Sequence, residues 1–480
     1  MDETIQRTKI VATLGPACST YEDIQGLIEA GATMFRLNTS HGDIQDHKSR
    51  LDTIRKASID MGKFTPILVD LQGPKIRIGV LKEEIKLEMD DKIVLSPSVK
   101  GEDIIPVDYA GLANDVHPGD MVLIDDGKIE LIVEEVKDDK VYAKVANPGI
   151  LKSRKGLNIP GSTSSLDAVT ERDIKFIEFA VENNADYVAL SFVRQKEDIL
   201  TAKKYLHELG SEIPVIAKIE KPQAVDNMSE IISVSDGVMV ARGDLGIEIS
   251  PEKVPIVQKR IINEATKQRK VVIVATQMLE TMIEQPIPTR AEASDVANAI
   301  LDGTDAIMLS GETSVGKFPK EAVKMMSMIA NNVENSDFCK YNIDLPLNPT
   351  FQKTRQAVVN AAVKMAQDVN AKALVSFTHT GYTPKLLSKL RPKVPIIVIS
   401  DSPATCRRLN LYWNIISFHR DWDRVLNRSF LIELDNFFFE NTNFKRDDYV
   451  ILTGSIPKLI TGKTNFLRVH RIGATSLEDV

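Results

Sequence analysis

Along the chain, short runs of β-prone apolar residues end again and again in polar side chains. Eight such runs stand out: KIVATLG (9–15), TMFRLNTS (33–40), PILVDLQG (66–73), DYVALSFVR (186–194), PVIAKIE (214–220), GVMVARGD (237–244), KVVIVATQ (270–277) and DAIMLSGE (305–312). Each predicts a strand. Most segments between them carry apolar residues at helical period, among them YEDIQGLIEAG (21–31), ERDIKFIEFAVENN (171–184) and EAVKMMSMIANNVEN (321–335). Spacings of roughly 30 residues are those of a βαβ unit. Eight such units, with reactive groups at the C-terminal ends of the strands, predict an α/β fold, a (β/α)₈ TIM barrel with its active site on that face. A doubly wound open sheet is the alternative, because strand count alone does not close a barrel.

Between PILVD and DYVALSF the texture changes for over a hundred residues. KIVLSPSV, MVLIDDGKIELIVEEV and KVYAKVANPG are short strands punctuated by Asp-Gly, Pro-Gly and Asp-Asp turns. They predict an inserted all-β lid domain over 74–169, beginning at Gly73-Pro74 and leaving near NIPGSTSS. The barrel domain then spans 1–73 and 170–344. A C-terminal α/β domain over 345–480 follows, with helix QAVVNAAVKMAQ, strand ALVSFT, helix PKLLSKL and strands PIIVIS and YVILTG.

Composition narrows the function. The net charge of −7 disfavours a nucleic-acid or membrane-surface binder, so any anionic substrate must meet local clusters of Lys and Arg. Three widely spaced cysteines, Cys18, Cys339 and Cys406, fit a reducing compartment and no structural zinc. The sequence begins MDETIQRTKIVATLG without a secretory pattern, and no apolar run approaches the ~18–20 residues of a membrane span. A cytosolic globular protein is expected.

In PVIAKIEKP, Lys218 and Glu220 lie two apart on a strand and so share a face. VMVARGDLGIE adds Arg242 and Asp244, with Gly243 and Gly246 beside them. Two carboxylates on neighbouring strand ends suit Mg²⁺, which leaves positions for substrate oxygens and water. The glycines bring backbone N–H groups to an anion where a helix begins. The alternative for Lys218 and Glu220 is a structural ion pair. Arg36 and Asn38 share a face in FRLNTSHG, with Ser40 and His41 in the turn beyond. Arg36 could clamp a phosphoryl group or merely cap a strand, and His41 reads equally as a turn residue. Thr276 could be buried or part of a proton relay; Asp70 and Ser310 fall at the same strand ends. Two P-loop lookalikes fail: GETSVGKF (311–318) has Phe318 where a hydroxyl is needed, and PKLITGKT (457–464) has Pro457 for the first glycine.

FRLNTSHG, VDLQGPKIRIG, IAKIEKP, MVARGDLG, VATQMLETM, PTRAEASDVANA and LDGTDAIMLSGET resemble the motifs of pyruvate kinases, in the family's order, from Lys9 to the C-terminus. The resemblance implies a barrel, a lid and a regulatory domain, and transfer of the phosphoryl group of phosphoenolpyruvate to ADP, the last step of glycolysis. It implies that Glu220 and Asp244 hold Mg²⁺ (or Mn²⁺), that N–H groups around Gly243 and Asp244 seat the substrate carboxylate, and that Lys218 and Arg36 face the phosphoryl group. Thr276 and Ser310 would serve enolate protonation, Asn38, His41, Arg77 and Lys155 the nucleotide, and Asp126 would descend with the lid. A cytoplasmic homotetramer is implied as well. The rival readings are another Mg²⁺-dependent barrel enzyme working through a pyruvate enolate, and a sensor without catalysis.

In the family's common K⁺-dependent form, the positions of Asn38, Ser40, Asp70 and the carbonyl of Leu71 resemble a monovalent-cation site. Those enzymes usually read Asp-Thr-Lys-Gly-Pro-Glu where this chain reads Asp-Leu-Gln-Gly-Pro-Lys. The lysine is Lys75, whose ammonium could supply the missing charge, so the resemblance is to a K⁺-independent subgroup; the alternative is a solvated hinge lysine. In SFTHTGYTPKLLSKLRP, Thr378, Thr380 and Thr383 surround Gly381, with Thr383 expected as N-cap and Pro384 as first helical residue. The loop resembles the family's sugar-phosphate effector loop. His379 and Tyr382 stand where many members carry Lys and Arg, which points to a monophosphorylated sugar or nucleotide effector, or to none.

Overall fold

The computed structural model describes residues 6–97, 104–161, 166–343, 345, 353–421, 428–455 and 464–474. PKLITGKT lies outside these residues except for Thr464, as do the end of NIPGSTSS and most of the expected boundary near 345.

All eight expected barrel strands form. β1 (Lys9–Thr13), β2 (Met34–Asn38) and β3 (Ile67–Asp70) precede the insertion. Its strands are β4 (Ile85–Leu87), β5 (Lys92–Ser96), β6 (Ile104–Pro106), β7 (Met121–Ile124), β8 (Ile129–Lys137), β9 (Lys140–Asn147), β10 (Gly149–Leu151) and β11 (Leu157–Asn158). The barrel resumes with β12 (Tyr187–Leu190), β13 (Val215–Ile219), β14 (Gly237–Ala241), β15 (Val271–Ala275) and β16 (Ala306–Leu309). These eight close in the order β1-β16-β15-β14-β13-β12-β3-β2, which excludes the doubly wound alternative. Strands such as VVIVA are buried at every residue, as a parallel sheet covered on both faces requires.

The connecting helices are punctuated locally. Thr20 and Asp23 form a capping box before Tyr21–Ala30, and Gly31 ends that helix at φ 118°. Thr289 and Glu292 repeat the box before Arg290–Leu301.

The insertion is not purely β. A four-residue helix, Leu112–Asp115, interrupts a mixed six-stranded sheet, β11-β7-β8-β9-β5-β6, in which β5 and β6 run parallel. Val122, Leu131, Val133, Val141, Ala143 and Val145 alternate inward to give it a core of its own. The C-terminal sheet orders β17 (Ala373–Phe377), β18 (Ile396–Ser400), β19 (Ile415–His419), β20 (Tyr449–Gly454) and β21 (Phe466–Arg471) as β19-β18-β17-β20-β21.

Two compact units divide the chain: 1–69, 182–188 and 262–480 form one, 70–181 and 189–261 the other. In the first, buried ion pairs fasten the N-terminal ends of barrel strands to the C-terminal sheet's helices. Asp305, just before β16, meets Lys389 and lies 3.1 Å from Arg391 Nη2. Asp186, just before β12, takes Arg407 Nε and Arg55 Nη2 at 2.8 Å each.

Candidate active site

The second unit holds a cluster built on three strand ends. Asp70 closes β3, Ser191 follows β12, and Lys218 and Glu220 sit at the end of β13; none is more than 8% exposed. Lys218 Nζ lies 2.7 Å from Ser191 Oγ, 2.9 Å from Glu220 Oε1 and 3.3 Å from Asp70 Oδ1. One ammonium thus serves two carboxylates. Ser191 Oγ also donates to the Leu71 carbonyl at 2.7 Å, so the oxygen expected in a cation site is in use. The Phe192 N–H donates to Glu220 Oε2 at 2.8 Å from a backbone at φ 55°, a conformation bulky residues rarely hold. Burial pushes the Glu220 pKa up, against the pull of Lys218, and the negative charge of Asp244 raises it further. Asp244 lies in the first turn of the helix Arg242–Ile249, directly after β14, with Gly243 beside it.

The first unit holds Arg36, Asn38, Ser40, His41, Thr276 and Ser310. Arg36, on β2, donates from Nη1 to Thr13 Oγ1 at 3.1 Å, and that hydroxyl donates to Leu309 O. Thr276, after β15, has φ 68° and is followed by Gln277 at φ 51°; its hydroxyl donates to the Ala275 carbonyl at 2.6 Å. A β-branched residue in this region is strained, and such strain gathers at functional sites. Ser310, after β16, donates its N–H to Glu312 Oε2 at 2.7 Å, while its buried hydroxyl has no hydrogen-bond partner among the described residues. Asn38 Oδ1 accepts the Ser40 N–H at 3.2 Å, and His41 is an exposed turn residue whose carbonyl lies 2.9 Å from His47 Nε2.

A family model for the pyruvate kinase barrel domain matches residues 5–323, and one for the pyruvate kinase alpha/beta domain matches 356–470. The chain belongs to the pyruvate kinase family. It is 41% identical to pyruvate kinases of Staphylococcus aureus, strains USA300 and COL among them, over 98% of its own length and 81% of theirs. A crystal structure of a pyruvate kinase from Cryptosporidium parvum superposes with a TM-score of 0.90 at 34% identity, covering 97% of this chain and 96% of that one. The chain is a phosphotransferase, and membership fixes its substrates as phosphoenolpyruvate and ADP. No helix among the described residues is long and apolar enough to cross a membrane.

Where the insertion begins, Gly73 has a φ of 68°, and a Cβ there would stand 2.9 Å from Phe192 Cδ2. The Gly73 N–H reaches Asp173 Oδ1 at 3.2 Å, and Asp173 Oδ2 takes the N–H and hydroxyl of Thr170 at 3.0 and 2.7 Å. Both ends of the insertion are thereby held by one buried carboxylate. Lys75 is half-buried with its Cε against Gly156, and it makes no ion pair among the described residues. Arg77 Nη1 donates to Arg154 O at 3.1 Å; Lys155 Nζ pairs with Asp125 Oδ1 at 2.8 Å, which lowers the Asp125 pKa. Asp126 is exposed at φ 59°.

The C-terminal loop departs from expectation. The helix Tyr382–Lys389 starts after Gly381, at φ 77°, so Thr383 is not its N-cap and Pro384 is not its first residue. The left-handed glycine starts the helix two residues early, and the buried Thr383 hydroxyl bonds to Thr464 instead. Thr378 Oγ1 accepts the Gly381 N–H at 3.0 Å, His379 Nδ1 lies 2.7 Å from Asp401 Oδ1, and Thr380 is exposed. The Arg355 guanidinium stacks 4.2 Å from the Tyr382 ring centroid. In GETSVGKF, Gly311–Ser314 is a single helical turn, and Glu312 accepts the N–H groups of Leu279 and Ser310.

Sequence reasoning missed Ser191, Asp173 and Glu312. Ser191 obeys the same rule as its neighbours, a polar residue at the end of an apolar run, and was findable. Besides their near neighbours, Asp173 takes the Gly73 N–H 100 residues away and Glu312 the Leu279 N–H 33 residues away, which no local pattern reveals.

Proposed function

We propose that the Lys218–Glu220–Asp244 group is the phosphoryl-transfer centre, and that Lys75 removes the need for K⁺. What supports the first reading is the charge balance of the cluster, with one ammonium against two buried acids and a third acid close enough to raise the pKa of Glu220. Oxygen donors in excess of local positive charge fit Mg²⁺, which takes one or two carboxylates and completes its shell with substrate oxygens and water; Mn²⁺ fits the same donors. Glu220 and Asp244 would hold it, and when bound it neutralises charge on the enolpyruvate and phosphoryl oxygens. N–H groups of Gly243 and Asp244 bind the substrate carboxylate. Lys218 and Arg36 present fixed positive charge to the phosphoryl group as it moves, which matters more than covalent help in such a transfer. Thr276 and Ser310, the one strained and the other with an uncommitted hydroxyl, carry the proton to the enolate carbon. Asn38, His41, Arg77 and Lys155 bind ADP, and Asp126 approaches with the lid.

Asn38, Ser40, Asp70 and the Leu71 carbonyl match the family's monovalent-cation positions. Here Asp70 is partnered by Lys218 and the carbonyl by Ser191, while Lys75, five residues on, holds an uncommitted charge. The barrel, lid and regulatory domains run over 1–73 with 170–344, 74–169 and 345–480, in a cytoplasmic homotetramer. The loop Thr378–Thr383 takes a monophosphorylated sugar or nucleotide, its few fixed charges arguing against a bisphosphate.

The test is pyruvate formation from phosphoenolpyruvate, ADP and Mg²⁺ without K⁺ or NH₄⁺, for the native enzyme and Lys75→Glu. Full native activity, with a K⁺ requirement appearing in the variant, is expected. Native activity that appears only with K⁺ overturns the role of Lys75 and leaves the kinase.

A further inference from the structure

The helix Arg242–Ile249 begins with Asp244 in its first turn and carries Glu248 in its last. Glu248 is buried, and its Oε1 takes two donors: Lys221 Nζ at 2.5 Å and Asn158 Nδ2 at 3.1 Å. Its Oε2 is buried and receives no hydrogen bond among the described residues, and both donors meet the other oxygen. The two donors come from different places. Lys221 directly follows Glu220 in sequence, and its ammonium stands 5.7 Å from the centroid of the Phe192 ring. Phe192 is the residue whose N–H holds Glu220 Oε2. Asn158 belongs to β11, the last strand of the lid before its exit. Lys75, Asn158, Phe192 and Lys221 border one cavity of about 40 Å³ beside this junction.

A single carboxylate oxygen therefore ties the lid, the segment bearing Glu220 and the helix bearing Asp244. We infer that Glu248 is a positioning residue that sets the spacing of the Glu220 and Asp244 carboxylates and registers the lid against it through Asn158. Resting on the Mg²⁺ assignment above, the inference adds a residue that touches neither metal nor substrate. Glu248 fixes one end of the helix while Lys221 fixes the neighbouring strand end. The junction works through charge, since an uncharged acceptor keeps the Asn158 bond but gives up its hold on Lys221. The lid bond is the weaker arm, one neutral donor against a carboxylate.

The measurement is Mn²⁺ affinity, by water-proton relaxation on the full-length enzyme without nucleotide, alongside kcat and KM. Glu248→Gln should weaken Mn²⁺ binding about tenfold and lower kcat comparably, the range of partners that orient metal ligands. Asn158→Ser should leave Mn²⁺ affinity unchanged and raise KM for ADP roughly threefold, the loss of one hydrogen bond. If Glu248→Gln does not fold, Lys221→Gln tests the same pair from the other side and should show the same loss. Native Mn²⁺ affinity in the charge variant that folds overturns the inference and leaves the metal site standing. Native enzyme that takes up no Mn²⁺ overturns both.

Discussion

Two buried lysine–carboxylate clusters sit at opposite ends of barrel strands, and their charge counts differ. At the N-terminal end of β16, Asp305 faces two cations, Lys389 and Arg391, and also accepts the Val272 N–H at 2.8 Å. At the C-terminal ends of β3 and β13 the ratio is inverted, with Lys218 shared between Asp70 and Glu220. Both oxygens of Asp305 have answering donors, so that cluster fastens strand to helix. The Glu220 cluster holds two acids against one ammonium, and burial, followed by the charge of Asp244, raises the Glu220 pKa against the pull of Lys218. The same residue types thus meet with cations in excess in one cluster and with acids in excess in the other. This agrees with the general division of a barrel between a stabilising face and a reactive one.

The largest expected effect that tests the difference is at Lys218. Lys218→Met should lower kcat on the order of 10³-fold, as loss of a preorganised charge does, with the fold intact by circular dichroism. Asp305→Ala should instead cost about 3–5 kcal/mol in urea unfolding, because Lys389 and Arg391 are left buried without their partner; kcat per folded molecule should stay native. Gly73→Ala comes next, at about 1–3 kcal/mol from strain at a left-handed φ, and the displaced Phe192 should raise KM for phosphoenolpyruvate in the same preparation.

The smallest effect is a slope. Burial lowers the Lys9 pKa to about 8, with its Nζ donating to the Ile415 carbonyl at 2.8 Å. Between pH 8 and 10.5 the unfolded chain binds a proton that the folded chain does not, so stability rises with pH in that window and is level below it. Lys389, also lowered to about 8, adds to the same rise. Lys9→Met should remove part of this slope in thermal melts between pH 8 and 10.

The barrel was legible because each strand is a local event, an apolar run closed by a polar residue, and all eight runs became strands. The strand-end placement of Asp70, Glu220, Thr276 and Ser310 was legible for the same reason, and Arg36 and Lys218 lie within β2 and β13 near their C-terminal ends. What the pattern could not carry was partnership. That Lys218 is shared by Asp70 and Glu220, or that Asp173 holds both Gly73 and Thr170, depends on segments up to 150 residues apart. The start of the C-terminal helix was misread because Gly381 takes a left-handed φ, which allows the turn before Thr383 could cap it. Strain at Thr276 and Phe192 was equally invisible, since neither residue type announces a positive φ.

The most direct test of the charge argument is Glu220→Gln, with thermal midpoint and pyruvate formation read on one preparation. A raised folded-state pKa means that ionising Glu220 at neutral pH works against folding. The account predicts an unchanged or higher midpoint with catalysis lost. A midpoint lowered by several degrees, with native turnover per folded molecule, would make the Lys218–Glu220 cluster another structural fastening and contradict it.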